Sequence, residues 1–466
     1  MEKLNADAPP VASSNRVWSF GLQRITRLCV VLVERVMPDP FVIAILLTLL
    51  TCALAFAIAP KASLPEVLTS WYDGVFKIAS FAFLVALTLV TGHALSTSGP
   101  VSKLLRRIAS LPATAAGAMT LTFFVSMVGG MLNWAVGLVV SALFAREIAK
   151  RIRVDFAWLV AAAYAGWSFY VCGISSSIAL LSATRGSPMN LIEKVTGDVL
   201  PMKEFLFSPL NTIPVLMLAV VVPVVFRIMM PREHESIAAD PARLIAEDTI
   251  QSEEAPPKTV AGKLDNAWLL NLVLVALGLG YIGLKVARSA FTMDLNMLVM
   301  IFLLLGLVTH WTPKAYLRAI NNAARVAGPI LLQFPLYGGI MGIMTATGLA
   351  DVIAQWFMGF STTQTLPFWS FVSSTLISMF VPSAGGHWIV QAPFVVPAAE
   401  HLHVPQSAVA ISVALGEGVA DMIQPMWVIP LLAIAGVGMG RVMGFTVIIF
   451  FVMFTVMGGT LLLFGH

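Results

Sequence analysis

The sequence predicts an all-α polytopic membrane protein with about nine spanning helices, two helical hairpins and two broken helices, built as inverted-topology repeats. Three observations lead there. Hydrophobic residues make up 58% of the chain and charged ones 11%, where soluble domains carry roughly 25% charge. Two tracts without Lys or Arg, Ile108–Ala145 and Val326–Gly440, are each too long for one bilayer crossing of roughly 20 residues. Each tract is interrupted midway by a glycine pair and polar residues, poor material for a regular spanning helix.

A mean hydropathy of +0.88 excludes a soluble enzyme. The formal charge of +4 over 466 residues is scattered through loop clusters and offers no patch for nucleic acid. Cys29, Cys52 and Cys172 lie in or beside apolar segments without metal-ligand spacing, and no disulfide framework is expected. The polar start "MEKLNADAPPVASSNRVW" has no small-residue cleavage site, so no secretory signal peptide is expected.

Residues 1–36 read as a cytoplasmic tail followed by an amphipathic helix on the membrane surface, with Arg16, Arg24, Arg27 and Arg35 among apolar residues. Because positive charge favours the cytoplasm, the N-terminus is placed inside. The first membrane repeat covers 37–230. "MPDP" (Met37–Pro40) opens a span over 37–59, with Pro40 where a missing N–H does no harm. A second span, 76–97, returns to Lys103, Arg106 and Arg107. The next basic cluster is Arg146, Lys150, Arg151 and Arg153, so the tract between has both flanks inside and needs an even number of crossings. It is read as a hairpin, 112–147, with "VGGMLNW" (Val128–Trp134) as a glycine-rich tip. A span over 156–182 is broken by "GISSS" (Gly173–Ser177), and 207–228 returns to Arg227 and Arg232.

Residues 231–266 form a charged cytoplasmic linker, and 267–293 a connecting span whose outer Lys285 and Arg288 go against the charge rule. The second repeat, 294–466, holds spans at 294–311 and 326–347 and a hairpin at 366–403. "PSAGGHW" (Pro382–Trp388) is its tip, entering from outside, followed by spans at 407–432 and 443–464.

The two halves align. "SMVGGMLNWAVGLVVSALFARE" (Ser126–Glu147) resembles "SMFVPSAGGHWIVQAPFVVPAAE" (Ser378–Glu400), pairing Gly-Gly with Gly-Gly and Asn133 with His387 before a Trp. "GISSS" falls opposite "LGEGVADMIQP" (Leu415–Pro425). Inverted repeats with paired broken helices mark secondary transporters, whose substrate site lies between the repeats. Hydrocarbon cannot satisfy bare N–H and C=O groups, so irregular backbone at membrane depth persists only inside protein or beside a watery cavity. Free N–H groups at a half-helix start suit an anion, and free carbonyls suit Na⁺.

The substrate-site candidates are therefore Gly129, Gly130, Asn133, Ser175, Ser176, Ser177, Ser383, Gly385, Gly386, His387 and Gln424. The glycines fit either close helix packing or backbone approach to a ligand. The serines fit either ligation or back-bonding to the preceding turn. His387 fits a contact to a carboxylate, a proton carrier or a backbone-satisfying tip residue. Glu417 and Asp421, four apart, are costly at membrane depth; they suit a coupling proton, a share in holding Na⁺, or a structural hydrogen bond. Asn133 joins them as a coupling-ion candidate. No HExxH occurs and no nucleophile–base pair is evident, which argues against an intramembrane enzyme.

Three longer stretches carry a family resemblance: "ERVMPDPFVIAILLTLLT", "VPSAGGHWIVQAPFVVPAA" and "LGEGVADMIQPMWVIPLLAIAG". They resemble the short-chain fatty acid transporter family, associated with uptake of acetoacetate, butyrate and similar monocarboxylates by bacteria. The resemblance runs from about residue 16 to the C-terminus, and its layout is similar to the ion-transporter superfamily with two hairpins and two broken helices. It implies a scaffold part and a moving transport part, often in a homodimer in the inner membrane. It also implies that substrate and ion meet at Gly129–Trp134, Gly173–Ser177, Ser383–Trp388 and Gly416–Gln424. Neither tip carries the Ser-Asn-Thr motif of dicarboxylate carriers. The expected function is symport of a short-chain carboxylate with Na⁺ or H⁺, without a cofactor; the alternative is a carrier of another small organic anion, a dicarboxylate or an amino acid.

Overall fold

A computed structural model describes residues 40–232, 236–241, 244, 259–325, 327–379, 381, 383–424, 427–435 and 437–465. The expected amphipathic helix within 1–36, most of "MPDP", Pro382, Pro425 and much of the 231–266 linker lie outside these residues. Every regular element among the described residues is helical. Eight helices are long and apolar enough to cross a membrane, among them Phe41–Ile58, Pro209–Ile228, Trp268–Ala287, Ile330–Thr347 and Met439–Phe464. The protein is a multi-pass membrane protein.

The span expected over 76–97 starts earlier, as a run of 33 residues from Leu64 to Ser96. It consists of two helices, Leu64–Lys77 and Ala79–Ser96, meeting at Ile78. Ser63 caps the start by accepting from Glu66 N–H, a signal set inside a polar stretch that composition alone assigns to a loop. The extra turns pack on Gly328–Thr347. That crossing is tight: a β-carbon on Gly342 would fall 2.1 Å from Ser70 O. The last helix likewise starts at Met439 and runs 26 residues.

Two hairpins follow the same plan. The first has arms Ala115–Leu132 and Trp134–Ala149; the second has arms Leu366–Ile377 and Ala384–His401. Each is followed by a helix that stops inside the protein. Phe156–Trp167 continues as a 3₁₀ turn over Ser168–Cys172, breaks, and resumes at Ser177–Ala183. Gln406–Ala420 breaks and resumes at Val428–Ala435. The first hairpin packs on the first broken helix and the second hairpin on the second. In the most apolar 18-residue stretch of Phe156–Ala183, 94% of the residues are buried, against 17% in that of Trp268–Ala287. A helix apolar all round and enclosed by protein is a core element, while one exposed on most faces meets lipid. The broken helices are thus the centre of the molecule.

Asp155 fastens one end of this centre. Its Oδ1 accepts from Trp158 N–H at 2.9 Å, capping the broken helix, and its Oδ2 accepts from Ile237 N–H at 3.0 Å and pairs with Arg441. The linker segment at Ile237, the first broken helix and the last span are tied at one carboxylate.

Candidate functional site

The first hairpin turns on one residue. Asn133 has φ −157° and ψ 122°, and its Oδ1 accepts from the N–H groups of Ala135 (2.9 Å) and Val136 (3.0 Å). The acceptor is spent on capping, and the group left over, Nδ2, is a buried donor without a partner. Gly129 and Gly130 are therefore not the tip that the glycine-rich reading of "VGGMLNW" made them. They sit in the last turns of the outgoing arm, where the hairpin arms and the broken helix cross closely. A β-carbon on Gly137 would fall 2.3 Å from Gly130 N, and one on Gly130 2.7 Å from Trp167 O. Gly-Gly suits a turn and a close crossing alike, so the sequence did not separate them.

At the second tip Ser383 has φ −146° and ψ 122°, nearly the geometry of Asn133. Ser383, not His387, is thus the residue that stands opposite Asn133. Unlike Asn133 it makes no side-chain cap, and its Oγ is buried without a partner. Gly385 and Gly386 lie in the first turn of the return arm rather than at the turn itself. A β-carbon on Gly385 would stand 3.3 Å from both Phe334 and Phe81, and one on Gly386 2.6 Å from Tyr337. His387 comes next, its N–H bonded to Ser383 O at 2.7 Å.

The "GISSS" break is held by protein groups. Gly173 lies against the first tip, where a β-carbon would be 2.3 Å from Met131 Cα. Ser175 Oγ donates to Gly130 O at 2.9 Å, and Asn211 Nδ2 donates to Cys172 O at 3.1 Å. These bonds replace the helical partners that the break removes. Ser176 Oγ is buried without a partner.

The second broken helix carries the acids. Gly416 and Gly418 flank Glu417 and let the helix wedge between two neighbours: a β-carbon on Gly416 would fall 2.6 Å from Phe371 O, and one on Gly418 2.7 Å from Val171. Glu417 between them is 0% exposed and bonds to His387, also 0% exposed, with Nδ1···Oε2 at 2.6 Å. His387 Nε2 meets Gln391 Oε1 at 2.5 Å, and Gln391 Nε2 donates to Ser370 O (3.0 Å) and Ser373 Oγ (2.9 Å). One turn after Glu417, Asp421 Oδ1 accepts from Gln424 Nε2 at 2.6 Å. Glu417 Oε1, Asp421 Oδ2 and Gln424 Oε1 are buried without partners.

Tips and breaks meet at one cavity of about 20 Å³. Trp134 comes from the first tip, Ser383, Ala384 and Gly385 from the second, Tyr170 and Ser177 from the first break, and Trp427 from the second. Val85, Ile330, Phe334 and Trp167 complete the wall. The aromatic rings form one cluster: Trp167 stacks on Tyr170 at 4.7 Å and lies tilted 6.2 Å from Trp427, which meets Trp134 edge-on at 5.3 Å. Trp167 Nε1 donates to Trp134 O at 2.7 Å, tying the first tip to the first broken helix. Among the described residues no Lys or Arg lines the cavity. A cavity of this size holds about one water molecule, far less than a four-carbon acid needs.

The comparisons with known proteins agree with this layout. The family model described as "Short chain fatty acid transporter" matches residues 21–464. The chain belongs to the short-chain fatty acid transporter family. Among its relatives is a protein of Escherichia coli (strain K12), provisionally named a short-chain fatty acid transporter, 40% identical over 429 residues. That match covers 91% of this chain and 96% of the relative. A Haemophilus influenzae protein with the same provisional name is 35% identical, with the same coverages. The fold is similar to that of the Alcanivorax borkumensis YdaH transporter, with a TM-score of 0.61 at 15% identity over 91% of this chain and 98% of that one. It is also similar to Neisseria gonorrhoeae MtrF, described among a class of antimetabolite efflux pumps, with a TM-score of 0.60 at 16% identity over 95% and 98%. This protein is a transporter and not an enzyme.

Of the expected site residues of this family member, the structure brings Ser177, Ser383 and Gly385 to the cavity wall and joins His387 to Glu417 behind it. Asn133, Gly129 and Gly130 serve the first tip and its crossing. Tyr170, Gln391, Trp167 and Trp427 lie outside the expected site residues. Gln391 stands four residues after His387, the spacing of one helix face, and that signal was available. The tryptophans carried none, since aromatic residues in a membrane helix fit core, lipid or interface equally.

Proposed function

We propose that this transporter is a secondary carrier moving short-chain monocarboxylates, such as acetoacetate and butyrate, across the bacterial inner membrane in symport with Na⁺ or H⁺. The observation that carries this reading is the meeting of both hairpin tips and both helix breaks at one cavity. The substrate carboxylate sits at the start of the second hairpin's return arm, where helix N–H groups lack intrahelical partners and Ser383 leaves them without a side-chain cap. The alkyl tail lies against Val85, Ile330, Phe334 and the tryptophans. The absence of Lys and Arg from the wall favours a singly charged acid over a dicarboxylate. The two halves work as inverted repeats, with the N-terminus in the cytoplasm, in a homodimer as the wider resemblance implies.

Labelled butyrate and acetoacetate in proteoliposomes test this. Exchange against internal substrate and gradient-driven accumulation above protein-free vesicles are expected. No transport of either acid under any Na⁺ or H⁺ gradient would overturn the proposal.

A further inference from the structure

We propose that His387 and Glu417 together form the binding site of the coupling proton, so that the ion driving transport is H⁺. The inference rests on the carrier reading above and decides the ion that reading leaves open. Ser370 O can only accept, so the Gln391 atom facing it at 3.0 Å is the amide nitrogen. Its oxygen then faces His387 Nε2 at 2.5 Å, and that ring nitrogen must carry hydrogen. The other nitrogen, Nδ1, stands 2.6 Å from Glu417 Oε2, a distance that needs a proton between them. The proton belongs either to the ring, giving imidazolium and carboxylate, or to Glu417, giving imidazole and carboxylic acid. Both forms are neutral as a pair, which suits a site that is 0% exposed. Losing that proton leaves a ring lone pair facing a carboxylate, with a net charge of −1, at fully buried side chains.

The surroundings offer nothing else to balance that charge. The titratable groups near Glu417 are Asp421 on its own helix, Tyr164 and Tyr170 on the first broken helix, and Tyr337 on Gly328–Thr347. Buried Cys172 sits in the same 3₁₀ turn as Tyr170. Each of these is neutral or anionic. Among the described residues the only buried Lys or Arg is Arg146, in the last turn of the first hairpin's return arm.

The pair also joins two elements that carry the substrate site. His387 lies one turn into the arm that begins at Ser383, and Glu417 lies on the second broken helix. With its proton the pair clamps arm to helix; without it the same 2.6 Å contact is repulsive. Proton release therefore requires the second tip to move away from the broken helix, the kind of movement that would open a closed cavity. A carboxylate bound at Ser383 adds negative charge beside the pair and holds the proton in place. Substrate anion and proton thus load together, without net charge.

Wild-type full-length protein in weakly buffered detergent solution, with a pH-indicating dye and butyrate as the probe, gives the direct test. About one proton taken up per butyrate bound is expected at alkaline pH, with affinity falling about tenfold per pH unit there. Glu417→Gln should bind butyrate with no proton uptake and a flat pH dependence. Binding to wild type without proton uptake at the same alkaline pH, together with affinity raised by Na⁺, would overturn the proton site alone. Failure of butyrate to exchange in proteoliposomes would instead overturn the carrier reading on which it rests. The wild-type measurement stands even where the variant does not fold.

Discussion

Replacing Gly416 with alanine is the most direct test of how Glu417 is held. A β-carbon there would fall 2.5 Å from Ser374 Cβ and 2.6 Å from Phe371 O, where carbon contacts settle at about 3.5–4.0 Å. Phe371 O is backbone and cannot rotate away, so the helix Gln406–Ala420 must shift from the arm Leu366–Ile377 by about 1 Å. Overpacking of this kind costs about 1–3 kcal/mol. The shift also strains the bond from Ser374 Oγ to Val413 O, at 2.7 Å. Membrane proteins often unfold irreversibly, so the readout is a half-life of monodisperse protein on heating in detergent. Expressed in the unfolding rate, the cost shortens that half-life by about 5- to 150-fold. Gly418→Ala should fall between, since its nearest neighbour is a Val171 methyl at 2.7 Å and the backbone oxygen of Ser168 is 3.2 Å away. Gly459→Ala, in Met439–Phe464 with nothing within 4 Å, should lengthen the half-life by virtue of helix propensity, worth up to about 1 kcal/mol. A Gly416→Ala protein as long-lived as wild type would refute the wedge.

Asn133→Ala removes a cap accepting two N–H groups and should cost about 1–2 kcal/mol of thermal stability, while Asn133→Asp restores most of it in the same heating assay. Ser383→Ala loses no internal bond, so its stability should stay within about 0.5 kcal/mol of wild type. Its KM for butyrate exchange should nonetheless rise about fivefold, the worth of one hydrogen bond; an unchanged KM removes Ser383 from the site. Ile330→Ala opens the cavity wall and should improve hexanoate relative to butyrate in competition assays by about fourfold per methylene accommodated. Asp155→Ala removes the helix cap and frees the linker at Ile237; faster proteolysis within residues 231–266 is the expected outcome, with a stability loss of at least about 1 kcal/mol.

The large features were legible because the bilayer imposes them. A tract such as Ile108–Ala145 must fold back if it is too long for one crossing, and an uncharged run broken by "GISSS" must find protein partners for its backbone. Glu417 and His387 were legible singly, since ionisable residues at membrane depth need a reason. Their pairing was not, because 30 residues and a change of direction separate them. Both turns fall within the expected tip stretches Val128–Trp134 and Pro382–Trp388, but on Asn133 and Ser383, whose extended φ and ψ need no glycine, rather than on the glycine pairs. What glycine supplies here is room, and room is a property of the neighbour: Trp167 for Gly130, Tyr337 for Gly386. No pattern within a single segment encodes that neighbour.

The difference between the two tips also assigns them different work. Asn133 Oδ1 caps its own return arm, and Trp167 Nε1 further pins the first tip through Trp134 O, so the backbone of this tip is held from within even though Asn133 Nδ2 has no partner. Ser383 keeps the same backbone geometry yet leaves its arm uncapped and its hydroxyl unpartnered beside the cavity. An uncapped helix start is a standing cost of about 1 kcal/mol, and a buried hydroxyl without a bond adds to it. Both costs vanish once an anion accepts from these groups. Under the proposed function the second tip is therefore the one whose energy depends on occupancy, and it is also the arm that His387 fastens to Glu417. A carrier needs one element that responds to its load and another that holds still, and the capping chemistry divides these duties between the second hairpin and the first.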